Sequence, residues 1–397
     1  LGAPAGAPRA AAAQPPALRE EAQSAFHRDI KQMLREHFGA LGTDSHKAKF
    51  SHEAIIMVLL AMYLPAWAGW LAGDWRCLVA VPLIGWFLMS NGAHDGSHFA
   101  ASRSPTVNDL HACLSSPLYY TSANWCQQHV VSHHGETNIL GVDVDLHHHP
   151  KDRMHPHQVH PGARVLSGLK NVGWHTISMF VSTFILSVVQ PGLLFVVPHI
   201  KIALGIKLDA RKGTGAGVAM TALMATSVKS GFGAVSGRFV LTTALWLTSM
   251  FVLLYPYWAF GLGLKGFAFS LMPYMISSIL FMVVTQVSHI QKETQSDEVL
   301  DNADFFKRQA LTSLDYSESS EVWRFLTGGL NVQSIHHVCP GVHSSHYTDL
   351  YPKFRAICQK HGCCPSSASN IGAALWRHMV YVYNLGEDFE ACFTPEM

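Results

Sequence analysis

Apolar residues fall along this chain in blocks of roughly the length that crosses a bilayer, and the stretches between them are rich in histidine. The block 54–73 (AIIMVLLAMYLPAWAGWLAG) carries no charge and is long enough to traverse ~30 Å of hydrocarbon as a helix. A short polar turn, Asp74 to Arg76, leads into a second uncharged block over 77–93, which predicts an antiparallel hairpin. Two more blocks, 239–260 and 267–287, are joined by Gly261 to Gly266 with Lys265 as its only charge, and predict a second hairpin. Upstream, Ala25, Phe26, Ile30, Met33, Leu34 and Phe38 recur at helical spacing, the pattern of an amphipathic helix expected to lie on the membrane.

A fifth apolar block, 174–198, is interrupted by Gln190, Pro191 and Gly192. If early and late histidines share one site, an even number of crossings must separate them. This block is therefore expected to lie in the interface, or to enter and return, because irregular backbone at depth needs protein cover. The expected fold is an all-α integral membrane protein with four transmembrane helices in two hairpins, interfacial helices and a histidine-rich cap. Lys170, Lys201, Lys207, Arg211, Lys212, Lys229 and Arg238 fall on the histidine side against Arg76 and Lys265 opposite, which places the cap in cytosol or stroma. Residues 208–237 read as a surface connection, 1–18 as a flexible or processed arm, and 19–397 as one domain.

Composition agrees with a bilayer. Of 397 residues, 49% are hydrophobic and 14% charged, below the roughly 25% of an average soluble domain. A net charge of +1 gives no reason to expect nucleic acid as a partner. The eight cysteines form neither a CxxC pair nor a zinc-ligand spacing, which suggests reduced thiols.

The 25 histidines carry the chemistry. His94 and His98, in HDGSH at the end of the second block, are four apart and share a helical face. His129, His133 and His134, in WCQQHVVSHH, place two rings on one face with a third beside it. His336 and His337 follow Gln333 by one turn, and His289 closes the last span at the same membrane level. Neutral imidazole suits iron, copper, nickel or zinc. One zinc takes about four ligands, so these eight histidines imply two metals, and cleaving an unactivated C–H bond with O2 favours iron. The histidines of the loop 147–160 read as surface or headgroup contacts, and His343 and His346 as ring-orienting or surface residues. Asp95, Asp143 and Asp145 are positioned to accept from ligating rings. Trp67, Trp70, Trp75, Trp86 and Trp125 suit an interfacial belt or core, or the lining of an acyl tunnel.

The order HDxxH, then Trp followed by a His and an HH pair, then GGLNxQxxHHxxPxxHxxHY resembles the membrane fatty acid desaturases, especially the front-end acyl-lipid group with Gln opening its third box. The resemblance runs from about His94 to Tyr347. It implies a non-haem di-iron centre that uses O2 and two electrons to make a cis double bond in an acyl chain. Carried over, His94 and His98 fall on the first box, His129, His133 and His134 on the second, and His336 and His337 on the third. His289 falls on the extra histidine ending the last span, and Gln333 on the variant position as candidate catalytic residue. The resemblance also implies an acyl lipid or acyl-CoA substrate, O2, and ferredoxin or cytochrome b5 as electron donor. Two departures stand out. The second box has three residues before its HH pair where two is commoner, and no HPGG motif of a fused cytochrome b5 domain occurs. A separate donor is thus expected, with a plastid membrane favoured over the endoplasmic reticulum. A di-iron hydroxylase, a carotenoid-modifying oxygenase and a desaturase-like structural subunit stay open as alternatives.

Overall fold

The computed structural model describes residues 24–39, 44–147, 152–158, 167–197, 200–201, 204 and 237–387. The arm 1–18, nearly all of the connection 208–237, and His148, His149 and His160 lie outside the described residues.

The described chain is all-α apart from one pair of three-residue strands. Five helical stretches are long and apolar enough to cross a membrane: Phe50–Leu71, Cys77–Ser97, Gly168–Leu193, Val240–Phe260 and Leu264–Ser288. We label the principal helices α1 (Ala25–Phe38), α2 (Phe50–Leu71), α3 (Cys77–Leu88), α4 (Gly168–Phe184), α5 (Gly237–Phe260), α6 (Leu264–Thr285), α7 (Gln333–Val338), α8 (Tyr347–Lys360) and α9 (Ile371–Glu387). The hairpin α2/α3 turns at Asp74 to Arg76, where the Arg76 guanidinium donates to the Asp74 carboxylate at 2.6 Å. The hairpin α5/α6 turns at Gly261, whose φ of +78° only glycine adopts freely. Across the bundle, Trp70 donates to the Phe269 carbonyl at 3.3 Å, and Tyr274 to that of Ser249 at 2.7 Å. Satisfying polar groups between helices in this way is what hydrocarbon surroundings demand. The outward faces stay apolar: Leu64 is 72% exposed and Trp258 84%.

The fifth stretch is long enough to span, yet its contacts point elsewhere. It begins beside the cap, where the Gly168 amide donates to Glu387, and runs along α6, where Thr183 bonds Tyr274 and Ser278. It then continues through two π-helical runs, Ile185–Val189 and Pro191–Val196. There Phe195 and Val196 pack on Val144 and Ala123, again beside the cap. Both ends thus meet the histidine-bearing side.

One expectation is corrected. The apolar stripe of α1 faces protein, not lipid: Phe26, Ile30 and Met33 are buried in one cluster with Leu350, Phe354 and Cys358 of α8. Asp29 on the same helix pairs with Lys360 and His361, each at 2.7 Å. In the cap, β1 (Leu314–Tyr316) pairs in parallel with β2 (Ser366–Ala368), Leu314 opposite Ser366.

Candidate metal centre

The first two boxes sit on helices broken by π turns. α3 passes through a π turn at Met89–Ala93 before the short helix His94–Ser97, and the second box lies almost wholly in the π-helical run Cys126–His133. A π turn bonds residue i to i+5, so residues five apart come onto one face. The His134 amide accordingly donates to the His129 carbonyl at 2.9 Å, and their Nε2 atoms are 3.2 Å apart. The sequence had paired His129 with His133. The extra residue in HVVSHH is taken up by the π turn, which brings His134 beside His129 at 4.7 Å between ring centroids while His133 stays stacked on His129 at 5.3 Å.

The third box is held by two left-handed glycines. Gly328 (φ +65°) ends the helix Glu321–Thr327, and a Cβ there would meet the Ser90 carbonyl at 2.1 Å. Close contact with the π turn of the first box therefore requires glycine. α7 follows, its first-turn Ser334 donating from amide and hydroxyl to Asp315 at 3.0 and 2.5 Å. Tyr351 of α8 donates to the same carboxylate at 2.7 Å. A carboxylate at a helix N-terminus is the favourable arrangement.

All eight expected histidines are buried and converge. The ligand atoms of His94, His98, His129 and His336 lie within 4.8 Å of one another, as do those of His133, His289 and His337. His134 links the two groups: its ligand atom lies within 4.8 Å of those of His336, in the first, and His337, in the second, and its Nε2 is 3.1 Å from that of His336. Gln333 extends its amide Nε2 to 2.9 Å from His289 Nε2 and 3.3 Å from His337 Nε2, while its Oε1 has no hydrogen-bond partner.

Ring partners decide which nitrogens are free. His133 Nδ1 donates to Asp143 at 3.0 Å, His289 Nδ1 to the Thr312 carbonyl at 3.0 Å, and His337 Nδ1 to Gln309 Oε1 at 2.8 Å. His336 Nδ1 meets the Tyr347 hydroxyl at 3.2 Å. Each of the first three rings therefore has its Nδ1 committed and turns its Nε2 inward, those of His289 and His337 toward the Gln333 amide. Burial, and after it the neighbouring imidazoles, push His129, His134, His336 and His337 well below the usual histidine range. Burial pulls His133 down as well, but the carboxylates of Asp143 and Asp145 outweigh it and lift it to about 9. The Nε2 atoms of His94 and His129 lie 3.1 Å apart and His98 Nε2 is a buried nitrogen with no hydrogen-bond partner, an arrangement that a bound cation would satisfy. The donor set fits a pair of imidazole-loving metal ions, with carboxylate and carbonyl partners orienting the rings.

A further group, His52, Asp95 and His343, does not fit a metal. His343 Nδ1 accepts the Ser345 amide, so its Nε2 carries the proton, and it lies 3.2 Å from the Asp95 carboxylate. This contact ties the first box to the loop after the third. His155, expected at the surface, is buried, whereas His157 pairs with Asp297 at 2.8 Å in solvent. His346 is also buried, its Nε2 on the Lys47 carbonyl at 2.8 Å. Gln309 carries no signal in the sequence: it accepts from His337 and donates to the His134 carbonyl at 3.0 Å, and no spacing connects it to either box. Trp125 lies face to face between Tyr120 (4.1 Å between centroids) and His129 (4.2 Å). Beside the histidines a cavity opens, walled by Met89, Trp125, Leu146, Phe281, Ile290 and Leu330.

Comparison with known proteins gives the family. The fatty acid desaturase family model matches residues 65–364. An acyl-lipid omega-13 desaturase of Chlamydomonas reinhardtii is 32% identical over 366 residues, 91% of this chain and 71% of the relative. An sn-1 linoleoyl-lipid 6-desaturase of Synechocystis sp. is 23% identical over 85% of this chain and 89% of the relative. An acyl-lipid (8-3)-desaturase B of Dictyostelium discoideum is 23% identical over 92% and 76%. With a match that takes in all three boxes, the chain belongs to the fatty acid desaturase family and is an oxidoreductase of that class.

Proposed function

We propose that this desaturase introduces a double bond into a lipid-linked acyl chain, using O2 and a pair of iron ions held by His94, His98, His129, His133, His134, His289, His336 and His337. The observation that carries the reading is the convergence of eight buried imidazoles beside a cavity walled in part by Met89, Phe281 and Leu330. Bound there, the two irons supply the O2 activation and oxidising power that remove one hydrogen from each of two adjacent methylenes; O2 leaves as two waters after taking up two external electrons and two protons.

The chain's own residues do the rest. Phe281, Leu330 and Met89 offer a dry surface to methylenes, and Trp125 bridges that surface to His129. Asp143, Gln309 and the Thr312 carbonyl hold protons on the outer nitrogens of His133, His337 and His289, which keeps the inner ones basic. Gln333 presents its amide between His289 and His337, with Oε1 available to orient a bound water. Positioning and water exclusion are thus the protein's share of the catalysis.

The relatives' names favour a lipid-linked acyl chain over acyl-CoA. Ferredoxin or cytochrome b5 would supply electrons, and a plastid membrane suits the first. The test is iron analysis with lipid profiling of cells expressing the chain, alongside His133→Ala and His336→Ala. A new unsaturated acyl lipid that both variants abolish is expected. An unaltered profile with the metal bound overturns the desaturation, and a hydroxylated product replaces it with the oxygenase alternative.

A further inference from the structure

Behind His289 lies a second buried histidine pair. His175 of α4 and His378 of α9 are 0% and 1% exposed, and their Nε2 atoms are 2.8 Å apart. The outer nitrogens are committed as well: His175 Nδ1 meets Asp152 Oδ2 at 3.3 Å, and His378 Nδ1 meets the Ile290 carbonyl at 2.8 Å. Asp152 is fully buried and also accepts from Ser178 at 3.0 Å.

Counting protons is decisive. The line Asp152, His175, His378, Ile290 carbonyl contains three hydrogen bonds and needs three protons. A carboxylate with two neutral imidazoles holds two. The carbonyl accepts only, so His378 keeps a proton on Nδ1; an ionised Asp152 likewise keeps one on His175 Nδ1. Two bare lone pairs would then face each other at 2.8 Å. A metal ion is a poor remedy, because only two nitrogens face the gap while Asp152 is engaged on the far edge of its ring.

We propose that His175 and His378 share one buried proton, charge-balanced by Asp152, and that the resulting chain positions His289 through the Ile290 carbonyl. The carbonyl of His289 is itself held by Asn138 at 3.0 Å and by Thr294 at 2.5 Å, so the two peptides that follow this ring are fixed. Burying a charge costs free energy unless a partner compensates it, which is the part Asp152 plays. His378 is a positioning residue: it acts on the metal-binding ring through a peptide and touches no reacting atom.

The shared proton is independent of the di-iron reading, and the positioning rests on it. Nitrogen-15 histidine NMR of the full, metal-free chain in detergent tests the first. One exchange-protected imidazole proton far downfield of the amides, correlated with Nε2 of both rings while both Nδ1 atoms also carry protons, is expected, with the His175 Nδ1 proton lost in Asp152→Asn; a His175 ring without an Nδ1 proton in the wild-type chain overturns it. Iron content tests the second. His378→Leu should lose one of the two irons and His378→Gln, which keeps an N–H for the carbonyl, should retain both; equal iron in the two variants overturns the positioning. Should His378→Leu fail to accumulate, the His289 ring shifts of metal-free Asp152→Asn decide, with unchanged shifts counting against it. Absence of iron from the wild-type chain would defeat the desaturase reading and leave the shared proton to the NMR result.

Discussion

The carboxylate of Asp143 does two things for His133: it takes the Nδ1 proton at 3.0 Å, and it raises the basicity of the nitrogen that faces inward. Replacing it by Asn keeps the shape and removes the charge. Asp143→Asn should weaken iron binding by about 10–100-fold while the protein still folds, as read from an iron titration. Unchanged affinity would mean that this contact does not tune the site. Gly328 makes the opposite kind of contribution, by lacking an atom. Gly328→Ala meets the Ser90 carbonyl at 2.1 Å and carries a left-handed backbone that alone costs about 1–2 kcal/mol. It should lower the thermal midpoint and loosen the third box against the first, visible as lost iron. A variant as stable as the parent would show that the two segments can separate freely. These residues also mark what the sequence could reveal. The box histidines were legible because local helical spacing presents them, and Asp143 because it sits ten residues from His133. Gln309, Thr312 and His378 were not, since each reaches its partner only after the cap has folded over the hairpins.

At the scale of elements, the second box turns on its π-helical run. The α-helical rule of four pairs His129 with His133, whereas the observed i to i+5 bonding pairs His129 with His134. Sequence spacing showed the extra residue but not where the backbone would absorb it. A π turn is an α-helix with one residue added, so taking that residue out should restore an α turn with the same rings facing inward. Deletion of Val131, which is 53% exposed, should therefore retain both irons. Inserting one alanine after Ser132 instead rotates the HH pair by about 100° relative to His129 and should abolish binding. Iron content per chain checks both, and loss of iron on deleting Val131 would contradict the π-turn account. The first helix teaches a related lesson. Its stripe of Phe26, Ile30 and Met33 was plain in the sequence, but an apolar stripe does not say whether lipid or protein will cover it, and here α8 does.

For the molecule as a whole, the two hairpins provide a membrane base and the cap closes over it, with the histidines gathered where the two meet. The apolar blocks made the base legible in advance, because uncharged runs of this length have few other uses. A parity argument led to the expectation that the fifth stretch lies in the interface; it forms one helix long and apolar enough to span, with π-helical runs, and its far end packs on Val144 and Ala123. Since the histidines come from distant parts of the chain, bound iron should tie the base to the cap. Removing it with a chelator should lower the thermal midpoint, by the equivalent of about 2.7 kcal/mol for a site held at a hundredfold excess over its dissociation constant. No shift would place the metal outside the fold's stabilising contacts.

The central claim is that converging imidazoles hold two irons which desaturate an acyl chain. Its most direct test is iron stoichiometry and product analysis on one preparation of the purified chain, supplied with acyl lipid, reductant, a compatible electron donor and O2. The account predicts two irons per chain and an O2-dependent new double bond, both lost in His336→Ala. A preparation that binds two irons and leaves the acyl chains saturated, or that desaturates them without iron, would contradict it.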